Sequence, residues 1–276
     1  MPNGDSNQPV NDAHMSFGEH LEDLRRRLVH AVAGLIPIIV VAFFFGDRII
    51  ALLCAPMLKV LHEHGRDAQL HIFNVTESFT IWMKVSLVTA LVFSAPWIFY
   101  QMWKFVASGL YTTERRIVLY LVPLSTLMVV AGVLFSYFVM LPVVLEFFEY
   151  FAEQFPTHSV DGQDQSILEP VYSITRYMGF VLFLMIGVSA AFQLPVVMLI
   201  GSMSGLLDPA WLASGRKYAL FGCFAAGAVL TPTDLPSMFI LAVPLYMLFE
   251  GGLVLMRLTW KPPVAHEDNA VEVEQT

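Results

Sequence analysis

Charged residues are scarce in this sequence of 276 residues: Lys, Arg, Asp and Glu make up 14% of it, whereas 57% is hydrophobic. Soluble domains usually contain about a quarter charged residues, so the composition excludes an ordinary soluble protein. The mean hydropathy of +0.65 agrees with a chain that lies in a bilayer. The net charge of -8 comes from acids gathered in tails and loops.

Cysteine is almost absent, since Cys54 and Cys223 are the only two. They form no CxxC pair, which excludes a disulfide scaffold and gives no sign of a metal site. The sequence also lacks the GxxxxGK[ST] phosphate loop and the HExxH and GxSxG motifs. We therefore expect no cofactor, no direct ATP hydrolysis and no enzymatic activity. The polar, slightly acidic first 15 residues resemble neither a secretory signal nor an Arg-rich transit peptide, which favours a prokaryotic inner membrane.

Six long apolar stretches are present. A bilayer core of about 30 Å needs about 20 apolar residues per helix, and on this measure the predicted spans are 28–45, 79–103, 117–148, 172–206, 209–230 and 236–256. The sequence thus predicts an all-α polytopic membrane protein with six transmembrane helices. Prolines in the spans are expected to kink several of them into a concave wall, at positions 37, 96, 123, 142, 195 and 244.

Basic residues predict the orientation of these spans. With both termini in the cytoplasm, ten of the 15 Lys and Arg residues lie inside. The predicted domains are a cytoplasmic tail with an amphipathic segment over 1–27, a transmembrane domain over 28–256, and a disordered cytoplasmic tail over 257–276. A long outer loop is expected over 46–78. Trp82 and Trp103, about 31 Å apart in one helix, are expected to anchor the two membrane interfaces.

Gln193 is the strongest polar group inside a predicted span. A buried amide without a partner costs a few kcal/mol, so it needs a hydrogen bond within the protein or from another membrane helix. The sequence leaves both alternatives open.

Two clusters combine acids with arginines, HLEDLRRRL at 20–28 and LYTTERR at 110–116. A local interpretation pairs Glu22 and Asp23 with the arginines three or four residues later, and Glu114 with the first turn of its own helix. The alternative is that the acids are neighbours in space and bind a cationic partner.

Several blocks together resemble the TatC family, the polytopic receptor subunit of the twin-arginine protein translocase. They are HLEDLRRRL, APWIFYQMWKFVASGLYTTERR, SYFVMLPVVLEFF, FQLPV, and LTPTD followed by AVPLYMLFE, and they span 20–256. The resemblance implies a glove-like receptor and scaffold that binds twin-arginine signal peptides at the cytoplasmic face. It implies export of folded proteins driven by the proton-motive force, in a multimeric complex with TatA-like and TatB-like single-span proteins and membrane lipid, and no nucleic acid.

The resemblance also implies roles for particular residues in signal-peptide binding. Glu114 matches the loop glutamate, Arg25 matches an arginine of the HLxELRxR motif, and Phe105 matches a further functional position. Asp23 falls where the motif commonly has glutamate. Carboxylates accept the paired N–H donors of a guanidinium, so two acids can bind two arginines.

Other implied positions lie elsewhere in the chain. Gln193 occupies a position where some family members carry glutamate in a concave surface for partner helices, and Pro195 follows it. Pro56 and Asp234 match further functional positions, although Asp234 could instead cap the sixth helix. A small-solute secondary transporter is the alternative function, and it would need ionisable or unwound elements near the midplane.

Overall fold

The computed structural model describes residues 17–108, 118–154, 157–160, 163–166, 170–204, 206–230 and 235–259. Eleven α-helices occupy these ranges: α1 Phe17–Phe44, α2 Gly46–Glu63, α3 Glu77–Phe93, α4 Ala95–Ser108, α5 Val118–Phe135, α6 Leu141–Glu153, α7 Ile174–Ala191, α8 Leu194–Met203, α9 Pro209–Ser214, α10 Arg216–Leu230 and α11 Leu235–Thr259. Strands β1 Thr157–Val160 and β2 Gln163–Ser166 form one antiparallel hairpin. Among the described residues this hairpin departs from the predicted all-α class. We call the end of the bundle where α1 begins the proximal end, and the opposite end the distal end.

Four helical stretches are long and apolar enough to cross a bilayer. They are Leu21–Phe44, Tyr120–Glu153, Ile174–Met203 and Met238–Leu258, and α3 with α4 makes a fifth when this bent pair is counted as one span. These five confirm a polytopic helical membrane protein. The predicted span at 209–230 is divided into α9 and the 15-residue α10, which at about 22 Å is shorter than a full bilayer core. The count of six spans therefore stays a prediction.

Three of the six prolines that were predicted to kink the spans directly follow a break in a helix. Proline has no N–H to donate and its ring collides with the carbonyl four residues earlier. Pro96 follows the 55° bend between α3 and α4, Pro142 follows the π-helical segment Ser136–Met140, and Pro195 follows the break between α7 and α8. The other three lie inside helices that continue through them: Pro37, Pro123 and Pro244.

The prediction of a loop over 46–78 is wrong for its first part, because α2 occupies it. The buried residues Leu53, Met57, Val60 and Leu61 recur every three or four positions, which is the pattern of a helix with one buried face. This face packs on α6, α3 and α7 as part of the large core in the distal half of the bundle.

Three tryptophans join helices of the bundle through indole hydrogen bonds. Trp103 is buried, and its indole N–H donates to the Ser125 hydroxyl of α5 at 2.9 Å, so its predicted role as an interfacial anchor is wrong. Trp82 donates to the Phe43 carbonyl at 2.8 Å and Trp97 to the His30 carbonyl at 2.9 Å, both on α1. Trp82 is partly buried and Trp97 is 41% exposed, and their indole hydrogen bonds join α1 to the pair α3 and α4.

Pro56 lies inside α2, where it leaves the carbonyl of Leu52 without its usual helical donor. The Tyr137 hydroxyl, from the π-helical segment, donates to that carbonyl at 2.9 Å. Tyr177 of α7 donates to the next carbonyl, that of Leu53, at 2.7 Å. Pro56 therefore frees the Leu52 carbonyl to accept a hydrogen bond that joins α2 to the span containing Tyr137.

We predict that Tyr137→Phe destabilises the protein by about 0.5–1.5 kcal/mol, the usual range for a hydrogen bond between membrane helices. In a Pro56→Ala background the cost should fall to less than half, because the alanine N–H can bond the Leu52 carbonyl within α2. Equilibrium unfolding in detergent micelles measures both. The control is Tyr120→Phe, since Tyr120 is 77% exposed. Equal costs of Tyr137→Phe in the two backgrounds would show that the freed carbonyl is not what Tyr137 stabilises.

Candidate functional site

A polar groove of about 430 Å³ lies between α1 and α4 at the proximal end. We call it the proximal groove. One wall consists of α1 residues Asp23, Arg26, Arg27 and His30, and the other of α4 residues Trp97, Tyr100, Gln101 and Lys104. On each helix the positions advance by three or four residues, so each set lies on one helix face. Of these eight residues only Asp23 was predicted to bind signal peptides, and this periodicity was the available signal for the other seven: Arg26, Arg27, His30, Trp97, Tyr100, Gln101 and Lys104.

The charged groups of the proximal groove are one carboxylate and three cations. The Arg27 Nε atom donates to Asp23 Oδ2 at 2.7 Å, and the two side chains are only 16% and 17% exposed. Such a shielded, charge-assisted hydrogen bond is about twice as strong as a neutral one. The Lys104 ammonium lies 5.5 Å from the centre of the Tyr100 ring, and Arg26 lines the groove beside it. The groove therefore presents Asp23 as an acceptor that already holds a guanidinium.

The wall formed by Trp97 depends on a glycine. Gly34 lies one turn beyond His30 on α1, and a methyl group in place of its hydrogen would overlap the Trp97 indole ring. Gln101, one turn along α4 from Trp97, is buried with 8% exposure. The absence of a side chain at Gly34 thus allows α4 to approach α1 and close the base of the groove.

The residues predicted for signal-peptide binding are only partly brought together. Asp23 lines the proximal groove, whereas Arg25 is exposed outside it, with its Nη1 3.7 Å from Glu22 Oε1. Phe105 lies half-buried in the last turn of α4. Glu114 lies outside the described residues, as does Asp234. The local pairing predicted from spacing is confirmed for Asp23 with Arg27 and for Glu22 with Arg25.

Gln193 lies at the break between α7 and α8, and it lines a second, apolar groove of about 270 Å³. We call this the lateral groove; residues of α3, α4, α5 and α7 enclose it, among them Leu91, Phe99, Val129 and Ile186. The Gln193 amide nitrogen donates to the Ser125 carbonyl at 2.9 Å. Its Oε1 is buried and has no hydrogen-bond donor among the residues that the structure describes. Pro195 is buried at the start of α8. The amide nitrogen of Gln193 therefore makes the hydrogen bond within the protein that the sequence offered as one alternative. The amide oxygen remains available for the other alternative, a bond from another membrane helix.

These features define a polytopic helical membrane protein with a polar groove at one end and an apolar groove in its side. The family model for the Sec-independent protein translocase protein (TatC) matches residues 19–244. The chain belongs to the TatC family, and it is a component of the twin-arginine, Sec-independent protein translocase.

The similarity extends over most of the chain. The TatC protein of Azotobacter chroococcum is 35% identical over 246 residues, which are 89% of this chain and 91% of that protein. TatC of Escherichia coli K12 is 33% identical over 86% of each chain. Among solved structures, a crystal structure of the twin-arginine translocase receptor TatC has a TM-score of 0.72 at 32% identity, and the match covers 87% of this chain and 99% of that one.

We predict that Gly34→Ala destabilises the protein by about 1–3 kcal/mol, because the added methyl group pushes the Trp97 ring and α4 away from α1. Unfolding in detergent micelles measures the loss, and quenching of tryptophan fluorescence by a soluble quencher should increase as the groove opens. The matched control on the same helix is Gly18→Ala, where an added methyl group meets nothing within 4 Å. That change should be neutral or stabilising by up to about 1 kcal/mol. Equal behaviour of the two variants would contradict the close packing of Trp97 on Gly34.

Proposed function

We propose that this chain is the receptor and core scaffold of its translocase, and that twin-arginine signal peptides bind at the proximal groove. The observation that carries the proposal is the shielded pair of Asp23 with Arg27 in a groove open at that end. Asp23 accepts the Arg27 guanidinium there, so a carboxylate at this position can hold a guanidinium. A solved relative at 32% identity is described as the twin-arginine translocase receptor.

Binding two arginines needs more negative charge than the described groove supplies. Asp23 is its only carboxylate among the described residues, and a peptide arginine must compete for it with Arg27. Glu114 belongs to the connection between α4 and α5, and the described ends of both helices lie at the proximal end. We therefore assign the stronger contact to Glu114 and the weaker one to Asp23, with Arg25 and Phe105 in supporting contacts.

The proximal end faces the cytoplasm of a prokaryotic inner membrane in this proposal. Lys and Arg residues are more frequent at this end of the described helices than at the distal end, as expected for a cytoplasmic face. The proximal set is Arg25, Arg26, Arg27, Lys104, Arg216, Lys217 and Arg257; the distal set is Arg48, Lys59, Arg66, Lys84 and Arg176.

The lateral groove is the proposed docking site for a TatA-like or TatB-like single-span subunit. Its walls are apolar, so a membrane helix can enter it, and Gln193 Oε1 is an acceptor still without a donor in the described protein. The chain would then act without catalysis of its own, as a scaffold in a multimeric complex that uses the proton-motive force to export folded proteins.

We predict that Glu114→Gln weakens signal-peptide binding about 10- to 150-fold, because a charge-assisted hydrogen bond worth about 1.5–3 kcal/mol is lost. Asp23→Asn should weaken it less, since Arg27 competes for that carboxylate in the free receptor. Affinity is measured on purified, correctly inserted protein with a twin-arginine peptide and a twin-lysine peptide.

The matched control for these variants is Glu63→Gln, which removes a carboxylate paired with Lys59 at the distal end. It should leave the affinity unchanged. An affinity of Glu114→Gln within twofold of the parent would sink the receptor role that we assign to Glu114.

We predict that Gln193→Leu lowers crosslinking to a single-span subunit about three- to tenfold while the amount of inserted protein is maintained, because one interhelical hydrogen bond is lost. Gln101→Leu is the matched control, a buried amide of the proximal groove. It should leave subunit crosslinking unaltered. Loss of Gln193→Leu from the membrane would instead show that its bond to the Ser125 carbonyl is the role of this amide.

A further inference from the structure

Lys84 is a cation on the exposed side of a membrane-spanning helix. It lies in α3, inside the bent pair that makes a fifth span, and its side chain is exposed. Several other cations of the described protein have carboxylate partners: Arg27 pairs with Asp23, Lys59 with Glu63 and Arg216 with Glu250. Lys84 has no ion pair or hydrogen bond to any residue that the structure describes. Charges within a span are costly and are seldom kept without a partner.

Lys84 lies on the face of α3 that forms the lateral groove. Val88 and Leu91, four and seven residues later, both line that groove. Residues at these spacings lie above one another on one side of a helix. Lys84 therefore lies on the same helix face as Val88 and Leu91, one turn nearer the distal end.

Helices α3 and α7, which form the two main walls of the lateral groove, both run from the distal end toward the proximal end. Glu77 and Thr175, at the distal starts of α3 and α7, line one cavity together. Ala95 and Gln193, after the proximal ends of the same helices, both line the lateral groove. Lys84 precedes Ala95 by eleven residues, so it lies about 16 Å from the level of Gln193 along the helix axis.

The groove also contains two polar atoms that need a hydrogen-bond partner. Ser189 is only 7% exposed, and neither its hydroxyl nor Gln193 Oε1 has a partner among the described residues. A lipid acyl chain cannot donate to them, whereas a polar side chain of a helix can. The groove thus favours a protein helix over a lipid as its occupant.

We propose that Lys84 binds a carboxylate of the helix that occupies the lateral groove. The occupant is a single membrane-spanning helix with an Asp or Glu toward its distal end and a hydrogen-bond donor eleven residues nearer its proximal end. Two residues eleven positions apart complete three helical turns to within about 20°, so both can face the groove at once. This inference rests on the proposed docking of a single-span subunit and adds the chemistry by which that subunit is recognised.

The charge of Lys84 sets specificity as well as affinity. A carboxylate that enters this apolar groove loses water, so it is accepted only where a cation replaces that water. A helix without the acid leaves the ammonium unpaired, and a helix with a cation at that level is repelled. Docking therefore selects both the identity of the partner helix and its depth in the membrane.

The test uses the full-length chain co-expressed with the single-span subunits of its translocase. A photo-crosslinking benzoylphenylalanine replaces Ile186, which lines the groove and is 42% exposed. The crosslink to each subunit is measured for the parent, Lys84→Gln, Lys84→Arg and the control Lys59→Gln. We expect about a tenfold loss for Lys84→Gln, the effect of removing one charge-assisted bond. Lys84→Arg should keep most of the crosslink, and Lys59→Gln should keep all of it.

Charge exchange makes the test specific to the proposed pair. Lys84→Glu should abolish the crosslink, and a subunit in which the distal carboxylate is changed to lysine should restore it. The same change at a subunit position two residues away should not restore it, because that side chain would point to another side of the helix.

Three results would overturn the inference. A parent chain that gives no subunit crosslink at Ile186 would remove the proposed docking site and the role of Lys84 with it. A crosslink within twofold of the parent in Lys84→Gln would leave docking in the groove intact and reject the role of Lys84 alone. Loss of co-purified phospholipid from Lys84→Gln, with the crosslink unaltered, would assign Lys84 to a lipid headgroup.

Discussion

The hydrogen bonds from two indole N–H groups to carbonyls of α1 are the contacts on which the proximal groove depends. Helices in lipid gain little from apolar contact with one another, so small residues and interhelical hydrogen bonds decide how they pack. Most of α1 is exposed to the surroundings of the bundle, and it packs mainly on α3 and α4. Trp82 bonds to the carboxyl end of α1 at Phe43, and Trp97 bonds to the middle of α1 at His30. Each ring lies against a glycine, Gly46 and Gly34 respectively. Because α1 forms one wall of the proximal groove, the groove exists only where these contacts hold α1 in place.

Breaks in the spans shape both grooves. The bend at Ser94 turns α4 so that one face carries Trp97, Tyr100 and Lys104 toward α1 while Ile98 and Phe99 face the lateral groove. A single helix thus separates the two sites. Ser125 of α5 stabilises this arrangement, since its hydroxyl accepts from Trp103 and its carbonyl accepts from Gln193. The two broken spans are therefore joined through one buried residue.

Polar clusters near the two ends of the bundle satisfy two acids, the buried Glu149 and the partly exposed Glu250. At the distal end the Tyr172 hydroxyl donates to the Glu149 carboxylate, lying 2.9 Å from each of its oxygens, and Glu149 Oε2 lies 3.4 Å from Arg66 Nε. Burial, together with the neighbouring carboxylate, raises the pKa of Tyr172, so that it stays a donor. At the proximal end Glu250 binds Arg216 and Tyr246 in the same manner. Each acid has an arginine partner from another segment, whereas Lys84 has no partner among the residues that the structure describes.

The sequence by itself determined the class of this protein, most of its spans and the family to which it belongs, because apolar length, basic asymmetry and motif spacing are local properties of the chain. It also indicated a local pairing of Asp23 with an arginine three or four residues later, and the structure shows that this arginine is Arg27. Only the tertiary structure decided that 46–63 is a helix packed on the bundle, that Trp103 is buried, and that Trp97 meets His30 and Gly34. The spacing of buried residues in 46–63 is a local signal for a helix but not for where that helix packs. The packing outcomes depend on which faces of distant helices meet, and a hydropathy pattern does not encode that choice when every side of the partner helix is apolar. The sequence also could not show that the Gln193 amide nitrogen bonds within the protein while its oxygen stays without a donor among the described residues, because the acceptor is the Ser125 carbonyl on another span.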